Sequence, residues 1–276
     1  MRTGKHLLIL AISLAAGSAA WAQPGLIFDD EAYRELPLAA IRSRSTQNKK
    51  NLLLHCPKPP EDQGAIASCV GHAIAHAMTI RWAFQCRVTD VASINSMLFS
   101  AAYIYNQVKS NSRDCHAGAR MTDGLRLAQS QGCCLESSFP NSKYACGKLP
   151  GETERAEASQ RRIKSYDKIF EIEASPQEKI TALLTALDWN NPAIVCLSGL
   201  PATGSDTPSG TAGHALVAVD YDEDKRVFTL LDSYRKNGED NGLATLSFDE
   251  FGKYARYGFI FSLGRWDCHL PVTKNK

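Results

Sequence analysis

Partway along this chain the spacing of the apolar residues changes from helical to strand-like. In the first half, Val70, Ala73, Ile74, Ala77, Met78 and Ala83 recur at helical intervals, which predicts a helix with one apolar face turned to a core. Ser68 is placed to cap that helix, and Cys69 falls in its first turn. Residues 92–108 and 121–131 read as further helices, the latter closed by Gly132. In the second half, Ser175-Pro176-Gln177-Glu178 forms a capping box that opens a helix to about Leu187. Apolar runs of strand length then follow at 192–197, 214–219, 227–232, 243–248 and 257–263. Asp222-Glu223-Asp224-Lys225 and Asn237-Gly238-Glu239-Asp240-Asn241-Gly242 are the turns between them. A helical half followed by a strand half makes an α+β protein of two lobes. The expected divisions are a helical lobe at 61–150, a charged linker at 151–165 and a β-rich lobe at 166–276.

The amino terminus reads as an address. Arg2 and Lys5 precede a short apolar core at 7–16, and Ala20-Trp21-Ala22 offers small residues for a cut before Gln23. That run is too short to span a membrane as a helix, so residues 1–22 are expected to be a signal peptide. The destination would be periplasmic or secreted, with no membrane attachment after the cut. Residues 23–60 form a mixed leader or short pro-segment, and Cys56-Pro57-Lys58-Pro59-Pro60 is extended because successive prolines restrict the backbone. With 31 Lys and Arg against 29 Asp and Glu, both signs interspersed, the composition excludes a nucleic-acid partner.

Export leads to an oxidising compartment, where nine cysteines is an awkward count. At least one thiol must stay unpaired, or pair with another molecule. Cys196, inside an apolar run, suits a buried inert thiol; a protected nucleophile would satisfy the count equally well. The adjacent Cys133 and Cys134 are expected to take separate partners, since a vicinal disulfide is strained.

A thiol attacks only as a thiolate, which needs stabilisation. The first turn of a long helix presents unpaired N–H groups and the positive end of the dipole, and Cys69 is placed there. His214 heads an apolar strand beside Gly213 and is the candidate proton carrier. Asp232 ends the next run, so antiparallel pairing would return it to His214 as the group that orients the ring. Asn237 and Asn241 are alternatives for that role, though both lie in the turn. Gln63, just before the nucleophile, and the Cys69 backbone N–H are candidate donors to a developing oxyanion.

These residues form a pattern that resembles the papain-like cysteine peptidases. Gln63-Gly64-Ala65-Ile66-Ala67-Ser68-Cys69 looks like the family's Gln-Gly, four residues, then Cys. Gly213-His214-Ala215-Leu216-Val217-Ala218-Val219 resembles its histidine strand, and Leu231-Asp232-Ser233-Tyr234 with Gly238 and Gly242 its Asn-Ser-Trp segment. Cys115-His116-Ala117-Gly118 is similar to its cleft-lining Cys-Asn-Gly-Gly. The resemblance spans about residues 52–263. It implies a cleft between a helical lobe carrying Cys69 and a barrel-like lobe carrying His214. Gln63 would be the oxyanion donor, Cys69 the nucleophile, His214 the acid and base, and Asp232 the orienting residue. Gly118 and Gly213 would contact an extended polypeptide substrate. The reaction implied is endopeptidase hydrolysis through a thioester, with no metal or organic cofactor. A bridge between Cys115 and Cys146 around the cleft-lining loop is also implied. The departures are Asp232 for the usual Asn, Tyr234 for the usual Trp, and Ile66 for a disulfide cysteine. Residues 23–60 are also shorter than the family's inhibitory prodomain.

Rival readings use the same residues. Cys69, His72 and His76 share a helical face as a metal site would, but the Glu that follows the first His in zinc peptidase helices is missing. Asp220 and Asp222 could make a calcium pair, though a solvated hairpin turn explains them more simply. A transglutaminase-like acyltransferase also orders Cys, His and Asp this way, and an inactive papain-like module would use the cleft only for binding.

Overall fold

The computed structural model describes residues 25–40, 43–45, 47, 49, 51–141, 146–198, 213–234, 242–264, 266 and 268. The expected signal peptide at 1–22 and the turn residues Asn237, Gly238 and Asn241 lie outside these.

The helical lobe is built around α2 (Cys69–Gln85), and β1 (Leu26–Ile27) and α1 (Asp30–Arg34) precede it. Helices α3 (Val91–Ser96), α4 (Ala101–Val108) and α5 (Met121–Ser130) follow, with β2 (Ala119–Arg120) just ahead of α5. The expected single apolar face on α2 is a correction: Val70, Ile74, Ala75, Met78, Ile80 and Trp82, which point in different directions, all have no exposed surface. α4 and α5 pack on it from one side, and β4 and β5 of the other lobe from another. Gly71 permits this closeness, since a Cβ there would lie 2.5 Å from the Ala101 carbonyl oxygen. Each large apolar side chain buried this way contributes about 1.5–3 kcal/mol, whereas a side-chain cap adds only about 1 kcal/mol. α2 is therefore held by its neighbours, and its amino terminus need not be capped.

The run at 92–108, expected as one helix, is two. Ser100 breaks it, its hydroxyl accepting the Tyr103 N–H at 3.0 Å as the cap of α4. Phe99 turns into the core, its N–H reaching Thr79 Oγ1 at 3.2 Å and its backbone bridging to Leu135. Residues 151–165, charged enough to read as a linker, hold α6 (Glu152–Ala158) and the start of β3 (Ile163–Lys168). α6 is tied down through Glu157, which accepts the Leu135 N–H at 2.9 Å and pairs with Arg161 at 3.1 Å.

The second lobe is a curled, almost wholly antiparallel sheet. Its remaining elements are α7 (Pro176–Asp188), β4 (Ala193–Ser198), β5 (Gly213–Asp222), β6 (Val227–Leu231), β7 (Leu243–Ser247), α8 (Phe248–Tyr254) and β8 (Ala255–Leu263). The strand order is β2-β1-β5-β4-β8-β3, with β6 on β5 and β7 on β6. Ser175 and Glu178 form the expected reciprocal cap of α7, with N···O distances of 3.3 and 2.7 Å. Ala215, Val217 and Val219 alternate with Leu216 and Ala218, and all five are buried, because α2 covers one face of β5 and α7 packs against it as well. β3 was missed in the sequence because it is mostly polar. Its one deeply placed charge, Lys168, is satisfied by Glu171 at 2.8 Å and the Arg34 carbonyl at 2.7 Å. This mixed architecture of helices and a curled half-barrel is the expected two-lobed α+β fold.

All nine cysteines are described. Cys115–Cys146 is bridged, as the resemblance implied, and Cys86–Cys268 is a second bridge. Cys56, Cys69, Cys133, Cys134 and Cys196 are buried free thiols. The separate partners expected for Cys133 and Cys134 are thus a correction: Cys133 Sγ instead donates to the Ser100 and Cys134 carbonyls, at 3.4 Å each. Burial pushes the thiols of Cys133 and Cys196 far above their ordinary range and that of Cys56 up to about 12, so these stay protonated.

Candidate active site

Cys69 opens α2 at the lobe boundary, its side chain fully covered. Ser68 holds the N-cap position but does not cap. Its hydroxyl turns to His72 Nδ1 at 3.2 Å, leaving the first N–H groups of the helix clear of a side-chain acceptor at the very end that bears the sulfur. Across the boundary, β5 begins with Gly213 and His214. His214 Nε2 lies 2.7 Å from Asp232 Oδ1, and the ring also makes a hydrogen bond with Cys69. Since Nε2 is taken by the carboxylate, Nδ1 is the nitrogen that meets the sulfur. Sulfur, imidazole and carboxylate lie in one relay from helix to strand.

The antiparallel β5–β6 pairing brings Asp232 to His214, with Val217 opposite Leu231 and the next residue of the chain curling back over the strand start. The Asp232 N–H donates to the Gly242 carbonyl at 2.7 Å, and Asp232 Oδ1 also accepts the Tyr234 N–H at 3.0 Å. Burial alone would lower the His214 pKa, but the Asp232 charge and hydrogen bond, with the Cys69 bond, overcome it and hold the ring well above its ordinary value. The Asp232 carboxyl is held below its usual range: burial raises it, and the His214 charge and hydrogen bond outweigh that. The Asp232 side chain keeps 20% exposure, so Tyr234 does not seal the contact.

Asp232→Asn would keep an accepting oxygen and remove the charge. For a reaction that uses the protonated ring, the alkaline limb of kcat/KM is then expected to move down by roughly one pH unit or more. The measurement is kcat/KM between pH 4 and 10, and an unmoved limb would show that the carboxylate does not set the protonation of His214.

Gln63 lies against the same end of α2. Its N–H donates to the Ser233 carbonyl at 2.7 Å, its Nε2 to the Ile66 carbonyl at 2.9 Å, and its Oε1 accepts the Ser233 hydroxyl at 2.7 Å. Oxygen and nitrogen ends of the amide are thereby fixed. Ser233 is the residue whose contribution sequence reasoning missed; its place in the Asp232-Ser233-Tyr234 segment was the only available signal. Tyr105 was missed too, and nothing in its sequence context marks it. Its hydroxyl lies 2.9 and 2.8 Å from the carbonyls of Cys115 and Ala117, bracing the loop that carries Gly118. Gly118, just ahead of β2, and Gly213, at the start of β5, are both in contact with the chain's own amino-terminal arm.

His72 and His76 belong to the lobe interior. The His72 ring spans the Ser68 carbonyl, 3.0 Å from Nδ1, and the Asn141 side-chain amide, 3.3 Å from Nε2, which fits a neutral ring protonated at Nδ1. Burial depresses His72 to about 4 and His76 to about 3. With His72 engaged on both nitrogens and Cys69 facing His214, the three do not converge on one point, and among the described residues no group of three metal-ligating side chains converges. Asp220 pairs with Lys49 at 2.7 Å and Asp222 with Lys225 at 2.8 Å, the latter in the expected hairpin turn.

Next to this site sits a carboxyl pair absent from the sequence reading. Glu61, two residues before Gln63, faces Glu136, which accepts the Asn141 N–H. Burial, with the facing Glu136, pushes Glu61 up to about 9. The native state therefore binds a proton that the unfolded chain releases above about 4.5, so this contribution is complete below that pH and is lost as pH rises toward 9. A stability slope of up to about 1.4 kcal/mol per pH unit is expected from it between pH 5.5 and 8. Glu61→Gln should flatten that slope in chemical denaturation at successive pH values; an unchanged slope would show that the pair carries no extra proton.

No family model matches the chain, and no curated protein matches it by sequence. Solved structures do. Xylellain, a cysteine protease from Xylella fastidiosa, superposes with a TM-score of 0.67 over 89% of this chain and 98% of its own, at 19% identity. Digestive procathepsin L2 proteinase from the Tenebrio molitor larval midgut gives 0.65 over 88% and 79%, at 14% identity. Procathepsin B S9 from Trypanosoma congolense gives 0.57 over 89% and 84%, also at 14%. Two lobes, a cysteine-headed helix against a curled sheet, and likeness to these proteases along nearly the whole chain give one answer: this protein has the papain-like fold.

Proposed function

We propose that the protein is an exported cysteine endopeptidase that hydrolyses polypeptides through a thioester acyl-enzyme. The observation that carries this reading is the His214 ring held between Cys69 and Asp232 across the lobe boundary. The Cys69 thiolate, paired with the protonated ring, attacks the scissile carbonyl carbon. The Cys69 N–H and the Gln63 amide donate to the developing oxyanion, at a helix end that no side-chain cap competes for. His214 passes its proton to the leaving amine as the C–N bond breaks, which leaves the thioester. It then takes a proton from water, whose oxygen releases the acid and frees the sulfur. Asp232 keeps the ring in the tautomer that serves both steps. The backbone around Gly118 and Gly213 would hold an extended peptide.

Export draws support from the amino-terminal sequence and from the two disulfides, which persist in oxidising compartments. Among the described residues no helix is long and apolar enough to cross a membrane.

A peptidyl vinyl sulfone at neutral pH tests the site directly. Stoichiometric labelling at Cys69, mapped by mass spectrometry, is expected together with loss of hydrolysis of an unstructured protein. Hydrolysis that survives complete labelling would sink the assignment.

A further inference from the structure

A cleft away from Cys69 opens where α2 meets the sheet lobe. Its volume is about 390 Å³, and Ala39, Arg81, Asp167, Ala186, Trp189 and Ile260 are among the residues that line it. That size falls within the roughly 300–1,000 Å³ of small-molecule sites. Arg81 stands near the far end of α2 from Cys69, about 18 Å along the axis at the usual rise per residue. Asp167 lies on β3, opposite Ile260 of β8. Ala186 belongs to the last turn of α7, and Trp189 follows that helix directly. The indole N–H of Trp189 donates to the Ser43 carbonyl at 3.1 Å, which steadies the ring.

Two opposite charges line this cleft without meeting. Arg81 Nη1 donates to the Asn190 carbonyl at 2.9 Å, which fixes the guanidinium plane. Its Nε is hidden from solvent and has no acceptor, and among the described residues no carboxylate acts on the group. The edge left over, Nε with Nη2, is the fork that takes both oxygens of one carboxylate. Asp167 is half-buried and, among the described residues, has no cation to offset its charge. Burial accordingly pulls the Arg81 guanidinium below its ordinary range and pushes the Asp167 carboxyl above its own. Charges withdrawn from water are normally paired. Here both partners are missing from the same cleft.

We propose that the cleft binds a small zwitterion, an amino acid or dipeptide, with its carboxylate on Arg81 and its ammonium on Asp167. An apolar side chain of that ligand would lie against Trp189, Ala186 and Ile260. A site for a plain anion would gain nothing from Asp167, which repels it, and a site for a plain amine would be opposed by Arg81. A ligand carrying both charges supplies each group with the partner it lacks. Amino acids and dipeptides are also what peptide hydrolysis releases. That link rests on the peptidase reading; the binding does not.

Isothermal titration calorimetry of the intact chain with L-leucine, leucinamide and N-acetyl-leucine tests this. L-Leucine keeps both charges, leucinamide lacks the carboxylate and N-acetyl-leucine lacks the ammonium. Saturable binding of L-leucine is expected, at least about tenfold tighter than either analogue, since each loses a charged hydrogen bond. Arg81→Gln and Asp167→Asn should each weaken L-leucine by about tenfold or more. The ligand series needs no variant, so it stands even where Arg81→Gln fails to fold. N-acetyl-leucine binding as tightly as L-leucine would leave only an anion site, and leucinamide doing so only a cation site. Either result overturns the proposal, as does an absence of L-leucine binding at millimolar concentration. Unchanged L-leucine affinity in either folded variant overturns it too. Binding is read without turnover, so a chain that binds L-leucine as expected but hydrolyses no peptide keeps this site and loses the peptidase reading.

Discussion

Cys69→Ala is expected to lower kcat/KM for an unstructured protein substrate by at least ~10⁴-fold, since loss of a covalent nucleophile leaves only binding and oxyanion stabilisation. The change trims one sulfur from a fully covered position, so the fold should survive, and matching circular dichroism would separate lost chemistry from lost structure. The other free thiols, Cys56, Cys133, Cys134 and Cys196, are buried and none is linked to a histidine in this way. Their alanine variants should keep turnover, which makes the comparison specific. Turnover that persists in Cys69→Ala would move the chemistry elsewhere or end the peptidase reading.

The second large loss is expected from His214→Ala, at ~10³-fold or more in kcat/KM, because one ring serves both the ion pair and the proton transfers. Removing it also leaves the Asp232 carboxylate without its main cation, at a cost of about 1–3 kcal/mol in stability. Activity should fall far more than that cost explains, measured at temperatures where both forms stay folded. Single-turnover assays should place the loss in acylation. A His214→Ala variant that retains a tenth of parental kcat/KM would show that the His214–Asp232 contact is structural.

Site residues were more legible in the sequence than their surroundings. Cys69, His214 and Asp232 each carry a local signal: a helix start, a strand start and a strand end. Strand pairing then brings the last two within 2.7 Å. Gln63 was readable as a candidate donor, but the bonds that fix its amide come from Ser233, 170 residues away along the chain. Distances of that kind leave no periodic trace. The Glu61–Glu136 pair was invisible for the same reason, as each looks like an ordinary surface carboxylate until packing buries it.

The amino-acid order by itself determined which stretches form the larger helices and strands, because hydrophobic spacing, the Ser175–Glu178 cap and the β5–β6 turn act over a few residues. It also placed the reactive side chains at element ends. Only the tertiary structure decided that α2 is buried on every side, that the polar stretch at 163–168 is a strand, and that β1 pairs with both β2 and β5. Those outcomes depend on what each surface meets, and contacts between residues far apart in the chain are written in no local pattern.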